Sequence, residues 1–240
     1  MRSRRKPQFM LPGAPLAFPD PNAADDEGLL AIGGDLSPER LLFAYERGIF
    51  PWYDEGLPPM WWSPNPRAVM DSEHLHVSRS LNRVIRSQRF RVTFNQVFRD
   101  VILECGRERD SGTWILAEMV DAYCELHALG HAHSVEVWQG AQLVGGLYGV
   151  QRGALFAAES MFHRVRDASK VGLVCAVERL FAAGIVLLDV QFLTEHLKSL
   201  GAYEISRSRY LELSADAAAM RAMACCNELS CATCAFINWV

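Results

Sequence analysis

Apolar positions recur along this chain with two different periods, and the change between them divides it. In the stretch 116–129, Met119, Tyr123, Leu126 and Leu129 fall three or four apart, which predicts an amphipathic helix closed by Gly130. Ahead of it, Ser78 or Ser80 can cap one helix, and Asn95 can cap another that runs through QVFRDVILEC to Gly106. Near His133 the pattern becomes that of strands. Stretches 133–138, 142–150 and 154–162 predict three antiparallel strands, with Gln139-Gly140-Ala141 and Gln151-Arg152-Gly153 as turns. Asp167 is expected to cap an apolar helix over 168–183 that stops at Gly184. A strand over 185–190, a short helix over 195–200, a strand near Tyr203–Ile205 and a helix after Ser206 complete the series. Helices, then a meander, then helix and strand make an α+β fold.

The first quarter of the chain reads differently. Ser37-Pro38 opens a helix that runs to Gly48. The next twenty positions, GIFPWYDEGLPPMWWSPNPR, hold five prolines and five aromatic residues. Each proline lacks an N–H and restricts the residue before it, so this segment is expected to be a rigid extended loop with no helix and no central strand. Its tryptophans form either a lid on a small core or a stacking platform for a flat ligand such as a nucleobase. A division near Pro66 separates a small N-terminal domain (1–66) from a larger domain (67–222), followed by a cysteine-rich tail (223–240).

Composition narrows the class. Half of the 240 residues are hydrophobic and 22% are charged, as in ordinary globular proteins. No apolar run approaches membrane-spanning length. The start, MRSRRKPQFMLPGAP, is a poor signal peptide. Seven cysteines, an odd number, with Cys105, Cys124 and Cys175 inside helical patterns, suit a reducing cytoplasm. The net charge of −4 does not advertise a nucleic-acid binder. Even so, Arg79, Arg83 and Arg86 share one helical face, and no acid lies between Glu73 and Asp100. That face is either solvated surface or a phosphate-contacting stripe.

Candidate chemistry rests on polar residues inside apolar strands. Glu159 lies in ALFAAESMF, and Asp189 and Gln191 lie in IVLLDVQF. A buried acid must be paired or placed in a cleft. Asp189 and Gln191 are two apart, so strand alternation points both to one face. HAHSVE offers His131, His133 and Glu136, but Glu136 falls on the opposite face from the histidines, which favours hydrogen bonding over a metal. Gly145, Gly146 and Gly149 within a strand mark a bulge or a close approach to a ligand. Cys225, Cys226, Cys231 and Cys234 in the tail include a C-x-x-C pair without a supporting framework. No metal and no cofactor is expected.

Ten segments in order resemble the leucyl/phenylalanyl-tRNA–protein transferase family: EGLLAIGGDLSPERLLFAYERGIFPWY, WWSPNPRAV, LHVSRSL, TWI, LHALGHAHSVEVW, LVGGLYGV, ESMF, ASK, LLDVQ and SLGA. The resemblance spans about residues 17 to 210. It implies an acetyltransferase-like catalytic domain with a mixed, mainly antiparallel sheet flanked by helices. It also implies transfer of leucine, phenylalanine or methionine from aminoacyl-tRNA to the α-amine of proteins beginning with arginine or lysine, which marks them for proteolysis. By the same resemblance, Glu159, Asp189 and Gln191 are catalytic, and Trp52 and Trp114 stack on the 3′-terminal adenosine. Leu147, Phe156, Met161 and Leu188 line the amino-acid pocket, and Arg79, Arg83 and Arg86 contact the tRNA. Trp61 and Trp62 are expected to brace the domain junction. Two departures stand out. Val190 replaces a cysteine and is expected to face away from Asp189 and Gln191. His163 replaces a serine and is expected to lie near Glu159. The rival readings are an acyl-coenzyme A-dependent N-acyltransferase, against which the glycine-free FHRVRDASK speaks, and a non-enzymatic RNA-binding module.

Overall fold

A computed structural model describes residues 6–11, 13–107 and 113–220. The cysteine-rich tail, with Cys225, Cys226, Cys231 and Cys234, lies outside the described residues. The first part comprises β1 (Gln8–Met10), a 3-10 turn (Pro21–Ala23), β2 (Leu29–Gly33), α1 (Pro38–Tyr45), β3 (Phe50–Pro51) and β4 (Met60–Trp62). The second comprises β5 (Arg67–Met70), α2 (Arg79–Arg86), β6 (Arg91–Phe94), α3 (Phe98–Cys105), α4 (Ala117–Ala128), β7 (Ala132–Gln139), β8 (Gln142–Arg152) and β9 (Leu155–His163). It ends with α5 (Ala168–Ala182), β10 (Leu187–Gln191), α6 (Glu195–Lys198), β11 (Tyr203–Ile205) and α7 (Arg207–Ala219).

The strands form two sheets, ordered β1-β2-β4-β3 and β11-β5-β10-β9-β8-β7-β6. In the large sheet only β9 and β10 run parallel; the other neighbours are antiparallel. This is a mixed, mainly antiparallel sheet in an α+β fold. Helices cover both faces. Apolar residues of α5 pack with Leu147, Phe156, Leu188 and Val190 on one side. On the other, α3 and α4 pack with Tyr148, Val150 and Phe162. Leu41, Tyr45 and Trp61 of the N-terminal part are buried in this second core, so the small sheet shares it rather than building its own.

Several expectations need correction. The proline-rich segment is not all loop. Its proline-free Met60–Trp62 forms β4 between β2 and β3, while Pro51 sits on the edge strand β3, where a missing N–H is tolerated. Trp61 is wholly buried in the core that the two parts share, its Nε1–H donating to the Gly33 carbonyl at 2.8 Å. Trp62 donates to the Trp52 carbonyl at 2.6 Å. Polar contacts across the junction include Arg207, which donates to the Ser63 carbonyl (2.5 Å) and, through its backbone N–H, to Asn65 (2.9 Å), and the Tyr53 hydroxyl, which donates to Glu118 at 2.5 Å. Val97, not Asn95, precedes α3; Asn95 has φ 57° and accepts from the Ser134 N–H at 3.0 Å. Ser78 caps α2 as expected. Leu129 is exposed beyond the end of α4. Of the two readings of the strand glycines, the bulge is found, at the register step between Tyr148 and Gly149, and the close approach is by the protein itself. A Cβ on Gly145 would lie 2.8 Å from that of Ala168, and one on Gly149 would lie 2.3 Å from the Ala157 carbonyl oxygen.

Candidate active site at the parting of two strands

Strands β9 and β10 pair from Leu187↔Leu155 to Asp189↔Ala157 and then separate. Each carries a bulge at that point. Against β8 the register steps from Tyr148↔Ser160 to Gly149↔Ala158, which leaves Glu159 as the extra residue. Against β5 it steps from Asp189↔Val69 to Gln191↔Ala68, which leaves Val190 as the extra residue. A bulge re-aims side chains that simple alternation would place elsewhere. Here the two bulges bring the Gln191 amide to Glu159, with Nε2–H donating to Oε1 at 3.1 Å. Gln191 has φ 56°, a left-handed conformation that costs a non-glycine residue about 1–2 kcal/mol. The Phe192 N–H donates to the Val190 carbonyl at 2.7 Å, closing a three-residue turn around it.

Asp189 holds that turn from behind. It does not share a face with the Gln191 side chain, contrary to the alternation rule, and it does not orient the amide group. Its Oδ1 accepts the Gln191 backbone N–H at 3.0 Å. Its carboxylate takes a two-pronged bond from Arg67 (2.8 Å to Nε, 2.5 Å to Nη2) and a third from the Tyr210 hydroxyl at 2.8 Å. Both ions of the pair are 1% exposed at the side chain. Arg67 also donates to the Gly48 carbonyl at 3.2 Å and lies over the rings of Phe50 and Tyr210. Burial, the largest single influence, would lower the Arg67 pKa, but the charge and hydrogen bonds of Asp189 together with the Tyr210 and Glu159 groups outweigh it and raise it, so the guanidinium stays charged.

Glu159 lies in a different field. Burial raises its pKa to about 8; the charge of Asp189 adds to the rise, while hydrogen bonding with Tyr45 and Tyr123 and the charge of Arg67 oppose it. The Tyr123 hydroxyl donates to Glu159 Oε2 at 3.2 Å and lies 2.5 Å from the Tyr45 hydroxyl. Burial, with the charge of Glu159 next, holds both phenols well above their ordinary pKa, so they serve as neutral hydroxyl groups. Of these three groups, Glu159 is the one placed to change charge close to neutral pH.

A cavity of about 300 Å³ opens at this point. Glu159, Ser160, Gln191, Thr194 and His196 form its polar wall, and Leu147, Ala158, Met161, Val190 and Leu197 its aliphatic wall. Phe50, Trp52, Trp114 and Phe192 form an aromatic wall. The structure thus brings together Glu159, Gln191, Trp52, Trp114, Leu147 and Met161. It leaves Phe156 and Leu188 buried in the core beside α5, outside the cavity wall, because both precede the bulges on their strands. Val190 does not face away from Gln191; as the bulged residue it lines the same cavity. His163 is not part of the site. It lines a second cavity with Glu104, Arg164, Ser169 and His196, and Glu159 is absent from those walls.

The remaining candidates lie elsewhere. Arg79, Arg83 and Arg86 are exposed on α2, and none meets a carboxylate within ion-pair distance among the described residues. Glu136 accepts from Thr93 and Ser134 at 2.6 Å each, and His133 is 3.1 Å from the Asn95 amide, so these residues form a buried polar network. Sequence reasoning missed Arg67, Tyr45, Tyr123, Tyr210 and Phe192. The one available signal was Arg67, a cation inside the apolar run PRAVM that needs a buried acid as partner.

A family model described as leucyl/phenylalanyl-tRNA protein transferase matches residues 69–215, and one for that family's N-terminal domain matches residues 34–65. A leucyl/phenylalanyl-tRNA–protein transferase of Anaeromyxobacter dehalogenans is 56% identical over 209 residues, covering 85% of this chain and 89% of its own. That of Citrobacter koseri is 53% identical over 199 residues, covering 82% and 85%. Solved structures that resemble the fold are distant. A GCN5-related N-acetyltransferase from Kribbella flavida is 9% identical with a TM-score of 0.39, covering 70% of this chain and 61% of its own. L-PGS from Bacillus licheniformis is 11% identical with a TM-score of 0.38, covering 70% and 57%. At those values neither fold nor chemistry follows from them. The family match and the curated relatives do decide the matter: this chain belongs to the leucyl/phenylalanyl-tRNA–protein transferase family.

Proposed function

We propose that this chain transfers leucine, phenylalanine or methionine from aminoacyl-tRNA to the α-amine of cytoplasmic proteins that begin with arginine or lysine, creating a degradation signal at the new N-terminus. The observation that carries this reading is the meeting of Gln191 and Glu159 at the mouth of an aliphatic cavity flanked by Trp52 and Trp114. The terminal adenosine stacks on the tryptophans, and the amino-acid side chain enters the aliphatic end at Leu147, Ala158, Met161 and Val190. Such a pocket discriminates one methylene by only about 1–3 kcal/mol, so it serves a group of related amino acids rather than one.

Aminolysis of an ester needs positioning more than activation. The amine nitrogen attacks the ester carbonyl carbon. The new C–N bond forms, the C–O bond to the ribose breaks, and the proton leaving the amine is returned to the ribose oxygen. Glu159 takes the Gln191 N–H, which turns the amide carbonyl oxygen toward the incoming amine as hydrogen-bond acceptor. Ionised Glu159 also favours the ammonium character that develops on the nitrogen. Asp189 acts through the backbone, by keeping Gln191 in its left-handed turn, and Arg67 keeps Asp189 in place. Arg79, Arg83 and Arg86 contact tRNA phosphates without reading sequence. The region up to residue 66 supplies the Trp52 platform, and the rest supplies the chemistry.

Mass spectrometry tests the proposal directly. A peptide starting with arginine, incubated with leucyl-tRNA and the protein, gains one leucine; the same peptide with a blocked α-amine does not. Absence of any extension refutes the proposal.

A further inference from the structure

Phe192 follows Gln191 directly, yet it is a large apolar side chain left 40% exposed. It is not a loose surface residue. The Phe50 ring meets it edge-on at 6.0 Å and 84°, and Trp52 meets it at 5.6 Å and 58°. The N–H of Phe192 closes the turn around Gln191, so ring and amide are coupled through one short hydrogen bond. Its remaining face is turned into the cavity. Trp52 is also met by Trp62 at 5.7 Å and 53°. Neither neighbour lies flat on Trp52. Trp52 itself stays 39% exposed and lines the cavity, so these two tilted contacts do not cover the indole.

We propose that Phe192 is a further substrate-contacting residue, closing with Trp52 an aromatic box around the terminal nucleobase of the donor. The inference rests on the transfer reading above and deepens it. The ring's continuity with Trp52 assigns it to the donor's base rather than to the acceptor's cationic side chain. Because the same ring borders the turn of Gln191, a seated base also supports the turn that presents the amide to the amine.

An amide-linked phenylalanyl-adenosine analogue, titrated calorimetrically into the full chain, tests this. Removing a base–aromatic contact weakens binding in the lower part of the stacking range, so Phe192→Ala is expected to raise Kd about five- to tenfold. Phe192→Leu, which keeps apolar bulk without a π face, is expected to weaken it as well, and Phe192→Trp to restore it. The KM for an arginine-starting peptide is expected to stay unchanged. Unchanged donor affinity in both the alanine and leucine variants overturns the proposal, as does a rise confined to the peptide KM, which would place the ring against the acceptor. Wild-type protein that neither binds the analogue nor extends any peptide would overturn the transfer reading and this proposal with it.

Discussion

Replacing Arg67 with methionine isolates the part of the site that is most deeply buried. The change removes the two-pronged bond to Asp189 and the bond to the Gly48 carbonyl, while keeping most of the apolar stem between Phe50 and Tyr210. Asp189 would keep only the Tyr210 hydroxyl and the Gln191 N–H, in a place with almost no exposure. Breaking one side of such a pair costs about 3–5 kcal/mol, because the charge left behind is uncompensated. Domains are stable by only about 5–15 kcal/mol, so this is a large share. At roughly 2–4 °C per kcal/mol for a chain of this size, the melting temperature should fall by about 6–20 °C. Pairing Arg67→Met with Asp189→Leu removes both charges and should recover most of that loss, since a buried ion pair is often replaceable by apolar groups. Activity should not recover, because the Gln191 N–H would have no carboxylate to hold its left-handed turn. Thermal melts followed by circular dichroism, with transfer assays well below the melting range, measure both quantities. A single variant that melts within about 2 °C of wild type would refute the buried-charge argument. A double variant with full activity would refute the positioning role of Asp189.

Glu159, with its pKa raised from 4.5 to about 8, binds more protons in the folded than in the unfolded state across that interval. Its contribution to stability is therefore fully present at low pH and is lost as pH rises toward 8; Glu159→Gln should flatten that slope in melts taken across pH, and an unchanged profile would contradict the assignment. Transfer should rise through the same pH range as Glu159 ionises, and pre-steady-state rates with Glu159→Gln should show a shallower rise. Changing Arg79, Arg83 and Arg86 together to alanine should weaken tRNA binding uniformly and reduce the salt dependence of log K by about 0.7–0.9 per lost phosphate contact; an unchanged slope in filter-binding measurements would make the stripe ordinary surface. Gly149→Ala places a Cβ 2.3 Å from the Ala157 carbonyl oxygen and 2.5 Å from the Phe156 ring, beside the Glu159 bulge. It should destabilise the fold by about 1–3 kcal/mol through overpacking and reduce transfer, with urea titration and rate measurement as the checks.

How much was legible in the chain itself depends on how local each determinant is. The meander, α5 and its glycine stop, the Ser78 cap and the α+β order follow from periodicity and end signals, which involve neighbours a few residues apart. The types of the site residues were legible for a related reason: an acid or amide within an apolar strand needs a special environment wherever the strand ends up. Their directions were not. Alternation along LLDVQ predicts that Asp189 and Gln191 share a face and that Val190 turns away, and a bulge at Val190 reverses both statements. A bulge is a difference in count between two strands; Gly149 marks one of the two in the sequence, but which residue is left over, Glu159 or Val190, is set by the pairing. The same holds for Phe156 and Leu188, apolar as a pocket needs but placed before the bulges and so within the core. Arg67, Tyr45, Tyr123 and Tyr210 enter the site from positions 21 to 122 residues away from their partners in sequence. The amino-acid sequence by itself determined the helices, the meander and the strands after it, though not the strands of the small sheet, β5 or β6, and it determined which polar groups require partners. Only the tertiary structure decided which partners they meet, because the pairing of an ion, the offset of a strand and the seating of a ring depend on chain segments brought together by the common core.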